Sequence, residues 1–231
     1  SVSFVDYEIP AMLSGYKWFR GIRSIVNRKM LTDGLHTLIN LPLSKGRYSR
    51  FVDFSNDYLH DTHEGLSNLD GKYDCIVIGS DQVFNARITG GVENAYWGNL
   101  PYSGKIITYA ASTNNFNYSQ QDLEKIPVLL SRFNAISVRE PYVAEYLSQL
   151  TSTKIALSVD PTLLIDCNEW DKVAKIPQYG GKYIFYYYVR NDERSLNFAK
   201  SFAKSKGLKL ITIGSFNSQY STPCAFASGP R

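Results

Sequence analysis

Two kinds of hydrophobic pattern alternate along the chain. Short unbroken apolar runs, rich in β-branched residues, read as strands buried on both faces of a parallel sheet; stretches with apolar residues three and four apart read as helices. Cys75, Ile76, Val77 and Ile78 form the clearest run, and it ends abruptly at Gly79, Ser80 and Asp81. Further strands are predicted over residues 105–111, 135–138 and 154–159. Each also exits into polar residues: Ser112, Thr113 and Asn114 after the first, Arg139 after the second, and Asp160 before Pro161 after the third. Between them, residues 120–133 read as a helix with Leu123, Ile126, Leu129, Leu130 and Phe133 on one face, despite Pro127. A second helix over 141–150 opens on Pro141, a residue favoured at the first helical position, and residues 162–174 read as a third.

The flanks are organised differently. Val2, Phe4, Val5 and Ile9 predict a short strand stopped by Pro10. From Tyr16 to Met30, Trp18, Phe19, Ile22, Ile25 and Val26 recur at helical spacing with Lys17, Arg20, Arg23, Arg28 and Lys29 between them, which makes a basic amphipathic helix. Such a helix either packs its aromatic face on the domain, the commoner arrangement, or lies on an anionic membrane surface. An irregular connection follows, and Tyr48, Phe51, Val52, Phe54 and Leu59 suggest another helix. The segment after Asn85, through Gly90, Gly91 and Trp97, is polar and too long for a tight turn, so it is expected to be functional or mobile. Beyond a Pro- and Gly-containing linker at 175–181, a strand over 183–189, a helix over 195–206 with Leu196, Ala199, Phe202 and Ala203 inward, and a strand over 208–213 restart the alternation.

Strands alternating with helices at this spacing predict an α/β fold with a Rossmann-like parallel sheet. The expected organisation is one domain over 1–174, with a helical insertion near 11–60, and the linker and opening of a second Rossmann-like domain over 175–231. The chain starts without Met and closes on a stretch that completes no element, so it reads as part of a longer protein, and targeting is left open.

Composition narrows this picture without changing it. With 231 residues, 14% aromatic and 20% charged, the chain is globular rather than disordered or coiled-coil. A net charge of +4 is too mild to argue for nucleic acid but suits a small anion held at a local cluster. Cys75, Cys167 and Cys224 lack metal-ligand spacing and read as reduced, buried or half-buried thiols, which points to a reducing, cytoplasmic setting. No run approaches the roughly 20 apolar residues a membrane-spanning helix needs.

Parallel strands point the same way, so their polar exits converge on one crevice at the carboxyl edge of the sheet. Arg139 stands just before a helix N-terminus, where a bidentate fork, free N–H groups and the helix dipole suit a phosphate or carboxylate; an ion pair with Glu140, Glu145 or a surface acid is the equal alternative. Asp81 and Ser80 are placed to cap the turn after their strand, satisfying local N–H groups. Asp160, at the crossover before Pro161, fits a structural role. Gly79, Ser80 and Ser112 are expected to line the cleft.

GSDQVF after a buried strand, then ITYAAS, ISVREPYVAEYL and VDPTLL followed by Glu169-Trp170, together resemble the polysaccharide pyruvyl transferase family over nearly the whole chain. The resemblance implies a GT-B-like pair of Rossmann-like domains, here with the second truncated, and transfer of the enolpyruvyl unit of phosphoenolpyruvate to a sugar of a bacterial cell-envelope glycan. The acceptor is then a sugar or lipid-linked oligosaccharide, with no cofactor, no metal and no nucleic acid, and a location in the cytoplasm or at the membrane surface. It places the family's arginine at Arg139 as the phosphate-binding residue and leaves Asp81 as the catalytic candidate, to serve as base or to hold the sugar hydroxyls, against the capping role above. Phe84 stands where the family usually has tryptophan. A glycine-containing segment before the first strand and a Ser-Phe-His-Gly motif whose histidine resembles the acid are both missing; His36, His60 and His63 match no family motif. A nucleotide-sugar glycosyltransferase and a non-catalytic glycan- or membrane-docking protein are the alternatives.

Overall fold

The structure is a computed structural model that describes residues 2–7, 9, 49, 52–53, 56–57, 59, 62–174, 180–188 and 192–214. The expected basic helix from Tyr16 to Met30, most of the linker, His36, His60 and Cys224 lie outside the described residues. The chain divides into two compact units, one formed by Ser1–Gly15 with Asp61–Lys172, and the other carrying the residues from Val173 onward.

The first unit is mixed α/β, built from pairs of parallel strands. Strand β1 (Phe4–Asp6) pairs with β2 (Thr62–Glu64), β3 (Cys75–Ile78) with β4 (Lys105–Thr108), and β5 (Ile136–Val138) with β6 (Ile155–Leu157). Bridges Ile107↔Ala135 and Ala111↔Val138 join the β3–β4 pair to the β5–β6 pair. Helix α1 (Ala86–Thr89) follows β3, α2 (Gln120–Leu130) follows β4, α3 (Pro141–Ser148) follows β5, and α4 (Cys167–Val173) follows β6.

Local chemistry sets the ends of these elements. Helix α2 starts where the Ser119 hydroxyl accepts the Asp122 N–H at 3.1 Å. Its interior Pro127 is tolerated because Ile126, Leu129 and Leu130 bury its inner face. The strand predicted over 105–111 stops at Thr108, because Ala110 adopts φ +49°. That kink is locked from below: the Thr108 hydroxyl donates to the Ser137 carbonyl at 2.9 Å, and Ser137 Oγ accepts from Ala110 N at 3.1 Å. Buried hydroxyls are affordable there only because each is bonded.

Other expectations change as well. Val77 is 57% exposed, so β3 buries one face and not both, with Ile78 turned to the core. The segment after Asn85 is part of that core: Trp97 is 1% exposed, its ring centroid 4.2 Å from that of Phe84, and Ala95, Leu100 and Tyr102 are buried with it. Its glycines and polar residues had hidden this, since a few apolar side chains without regular period leave no pattern to read. The helix expected over 162–174 is split into a 3₁₀ turn at Pro161–Leu163 and α4. Cys167 is exposed, and Cys75 half-buried as expected.

In the second unit, β7 (Tyr183–Tyr188) and β8 (Lys209–Gly214) pair in parallel, joined by α5 (Glu193–Ser205). Asp192 caps α5 by accepting from Arg194 N and Ser195 N. Leu196, Ala199 and Ala203 are buried, but Phe202 is exposed: it lies beside that stripe and stacks on Phe198 instead. No helix among the described residues is long and apolar enough to cross a membrane.

Candidate functional site at the strand exits

Backbone hydrogen bonds tie the exits of the four central strands together. Tyr109 N donates to the Ile78 carbonyl at 3.0 Å, Ser112 N to the Asp81 carbonyl at 2.8 Å, and Arg139 N to the Ala111 carbonyl at 3.1 Å. Ser158 N reaches the Val138 carbonyl at 3.0 Å, which brings in the end of β6. Gly79 makes the closest approach possible. A Cβ at this position would sit 2.1 Å from the Tyr109 carbonyl oxygen, and its φ of +137° is open only to glycine.

Arg139 is the centre of the cluster. Its Nε donates to Glu140 Oε1 at 3.1 Å, one terminal nitrogen donates to Asp160 Oδ2, and the other lies 3.4 Å from Asp81 Oδ1. The three carboxylates differ in exposure: the side chains of Glu140 and Asp160 are 23% and 27% exposed, that of Asp81 81%. Burial alone would lower the Arg139 pKa, but the hydrogen bonds to Glu140 and Asp160 outweigh it and raise it. Asp160 is held below its ordinary pKa, first by the Thr162 hydroxyl and N–H and then by Arg139. One oxygen of Asp160 thus caps the 3₁₀ turn while the other faces the guanidinium.

A second row of polar side chains stands behind the arginine. Glu140 occupies the N-cap position of α3 without making a side-chain cap bond. The Glu140 carboxylate is turned instead to its neighbours. Its Oε1 accepts the Ser112 hydroxyl at 2.7 Å, and Ser112 Oγ accepts from Gln82 Nε2 at 3.1 Å. Gln82 Oε1 in turn accepts from Asn85 Nδ2 at 2.7 Å, and Asn85 is 1% exposed. The other carboxylate oxygen, Glu140 Oε2, is buried and has no hydrogen-bond partner among the described residues.

The residues predicted from the sequence therefore meet, though in different roles. Gly79, Ser80, Asp81 and Arg139 stand together at the exits. Ser112, expected to line the cleft, is fully buried, and its hydroxyl meets the Arg139 cluster through Glu140. The Asp81 side chain points to Arg139 rather than capping its own turn; its backbone, at φ +62°, is pinned by its carbonyl's bonds from Val83 N and Ser112 N. Arg139 makes the ion pair with Glu140 that stood as the alternative to anion binding, and adds Asp81 and Asp160. Sequence reasoning missed Gln82 and gave Glu140 no part beyond an ion pair. Their one signal was position, Gln82 beside Asp81 and Glu140 beside Arg139. Among the described residues no group of three His, Cys, Asp or Glu side chains is arranged to hold a metal ion. An open depression of about 450 Å³, lined by Asn94, Asn99, Gln121, Glu124 and Lys125, shares no residue with the cluster.

A family model described as polysaccharide pyruvyl transferase matches residues 5–227. No curated protein and no solved structure matches the chain.

Proposed function

The chain belongs to the polysaccharide pyruvyl transferase family, and on that premise we propose that it transfers the enolpyruvyl unit of phosphoenolpyruvate to a sugar of a cell-surface glycan or its lipid-linked precursor. The observation that carries this reading is the meeting of the Arg139 guanidinium and the exposed Asp81 carboxylate where β3, β4, β5 and β6 end. The parallel strand pairs of both units support, within it, the family's Rossmann-like, GT-B-type architecture.

The chemistry asks for both groups. Phosphoenolpyruvate is a compact polyanion, which a guanidinium fork recognises. Its methylene carbon takes up a proton, carbon two becomes cationic, and a sugar hydroxyl forms a C–O bond there as its own proton passes to a base. A second hydroxyl then bonds to carbon two while the bond to the phosphate oxygen breaks. The products are a cyclic ketal and inorganic phosphate; of the two hydroxyl protons, one balances that gained by the methyl group and the other leaves on phosphate. In this reading Arg139 holds the donor phosphate, Asp81 accepts the hydroxyl proton, and Gly79 and Ser80 shape the wall beside them. The group that protonates the methylene is not among the residues gathered here.

Calorimetric titration of phosphoenolpyruvate into the protein and its Arg139→Ala variant tests the reading. Loss of the charged contact is expected to cost about 2–5 kcal/mol. Unchanged affinity removes Arg139 from the donor site. Family membership does not favour the nucleotide-sugar alternative; protection from thermal unfolding by a nucleoside diphosphate and not by phosphoenolpyruvate would restore it.

A further inference from the structure

The guanidinium assigned to the donor is already engaged. One positive charge faces three carboxylates, so without the donor the cluster carries a formal charge of −2, which repels a phosphate. An anion reaches Arg139 productively only if a carboxylate gives way, and the three are not equally placed to do so. Glu140 is held by the buried Ser112 hydroxyl and by Arg139 Nε, and its side chain is three-quarters buried. Asp160 is anchored through its other oxygen to the Thr162 hydroxyl at 2.7 Å and N–H at 3.0 Å. Asp81 has no such anchor among the described residues: its contact with Arg139 is the longest, at 3.4 Å, and its side chain stands mostly in water. Exposed pairs of this kind contribute little.

We propose that Asp81 is an exchangeable counter-ion of Arg139, which occupies the guanidinium while the site is empty and cedes it to the anionic group of the donor. The backbone geometry suits the role. Asp81 is fixed at φ +62° with its carbonyl bonded to two N–H groups, while its carboxylate is free to swing. Exchange replaces one anion by another at the guanidinium, so Arg139 is never left unpaired, and the displaced carboxylate remains beside the donor, where a hydroxyl proton has to be received. Glu140 and Asp160 stay in place and keep the fork oriented. This rests on the reading of Arg139 as the donor-anion residue.

The sign of an affinity change separates exchange from a structural role. Asp81→Asn removes the competing charge and keeps a side chain that tolerates the left-handed region. It is expected to tighten phosphoenolpyruvate binding roughly two- to tenfold, with a larger gain at low salt. Asp81→Gly, which suits the positive φ and carries no carboxylate, should do the same if Asn disturbs the turn. Asp160→Asn removes an orienting partner and should weaken binding. All three variants and Arg139→Ala are to be titrated with phosphoenolpyruvate by calorimetry at low and physiological salt, with folding checked by circular dichroism. If Arg139→Ala abolishes binding while both Asp81 variants bind no tighter than wild type, exchange is wrong and the donor assignment stands. If Arg139→Ala binds unchanged, the donor assignment itself fails and exchange falls with it.

Discussion

Ser112→Ala tests the polar row behind Arg139. The Ser112 hydroxyl is fully buried; it donates to Glu140 Oε1 at 2.7 Å and accepts from Gln82 Nε2 at 3.1 Å. Its bond to a carboxylate is of the charge-assisted kind, worth about 1.5–3 kcal/mol, and a half-buried Gln82 N–H deprived of its acceptor adds on the order of 1 kcal/mol. The expected loss of stability is therefore about 2–4 kcal/mol. Urea unfolding followed by tryptophan fluorescence, to which the buried Trp97 of the same unit contributes, reads it. A double-mutant cycle with Glu140→Gln isolates the pair, and a coupling of about 1–2 kcal/mol is expected for side chains sharing one network. Because Glu140 braces Arg139, Ser112→Ala should also weaken phosphoenolpyruvate binding. Loss below about 0.5 kcal/mol, or strict additivity with Glu140→Gln, refutes the proposed linkage, since contacts of this kind cannot be removed without coupling.

Two further outcomes follow from the same geometry. Gly79→Ala places a Cβ 2.1 Å from the Tyr109 carbonyl at a φ of +137°; the β3–β4 junction must move, at a cost of about 2–5 kcal/mol in the same unfolding measurement, and a change under about 0.5 kcal/mol contradicts the close approach. The Asp160 carboxyl has a lowered pKa in the folded protein, so the stability it lends is fully present above its ordinary value of 3.8 and is lost as pH falls through the lowered one. Asp160→Asn should accordingly lower the melting temperature at pH 7 and flatten its decline below about pH 4; parallel profiles for the two proteins would show that this carboxylate is not linked to folding.

Much of this site is legible in the sequence alone. Buried strands with polar exits, at a spacing that leaves room for a helix between them, require parallel pairing, and parallel strands put their exits on one edge. The Cys75–Ile78 run came out at its exact ends, and Pro141 opened α3 as expected. Irregular packing was not legible. Nothing in the polar segment after Asn85 announces that Trp97 is buried against Phe84, because that contact depends on a path through space and not on a period along the chain.

The amino-acid sequence by itself determined the alternation of elements, the α/β class and the family, because hydrophobic period, glycine position and motif order are local properties that survive without knowledge of the fold. It also brought Gly79, Ser80, Asp81 and Arg139 to one edge. Only the tertiary structure decided who holds whom there. Arg139 lies 58 positions from Asp81 and 21 from Asp160, and the hydroxyl that braces Glu140 comes from another strand end. Ion pairing falls steeply with distance and with exposure to water, and both are fixed only when the chain has closed on itself. The result is an arginine whose fork is shared by three carboxylates, two of them anchored and the third, Asp81, in solvent.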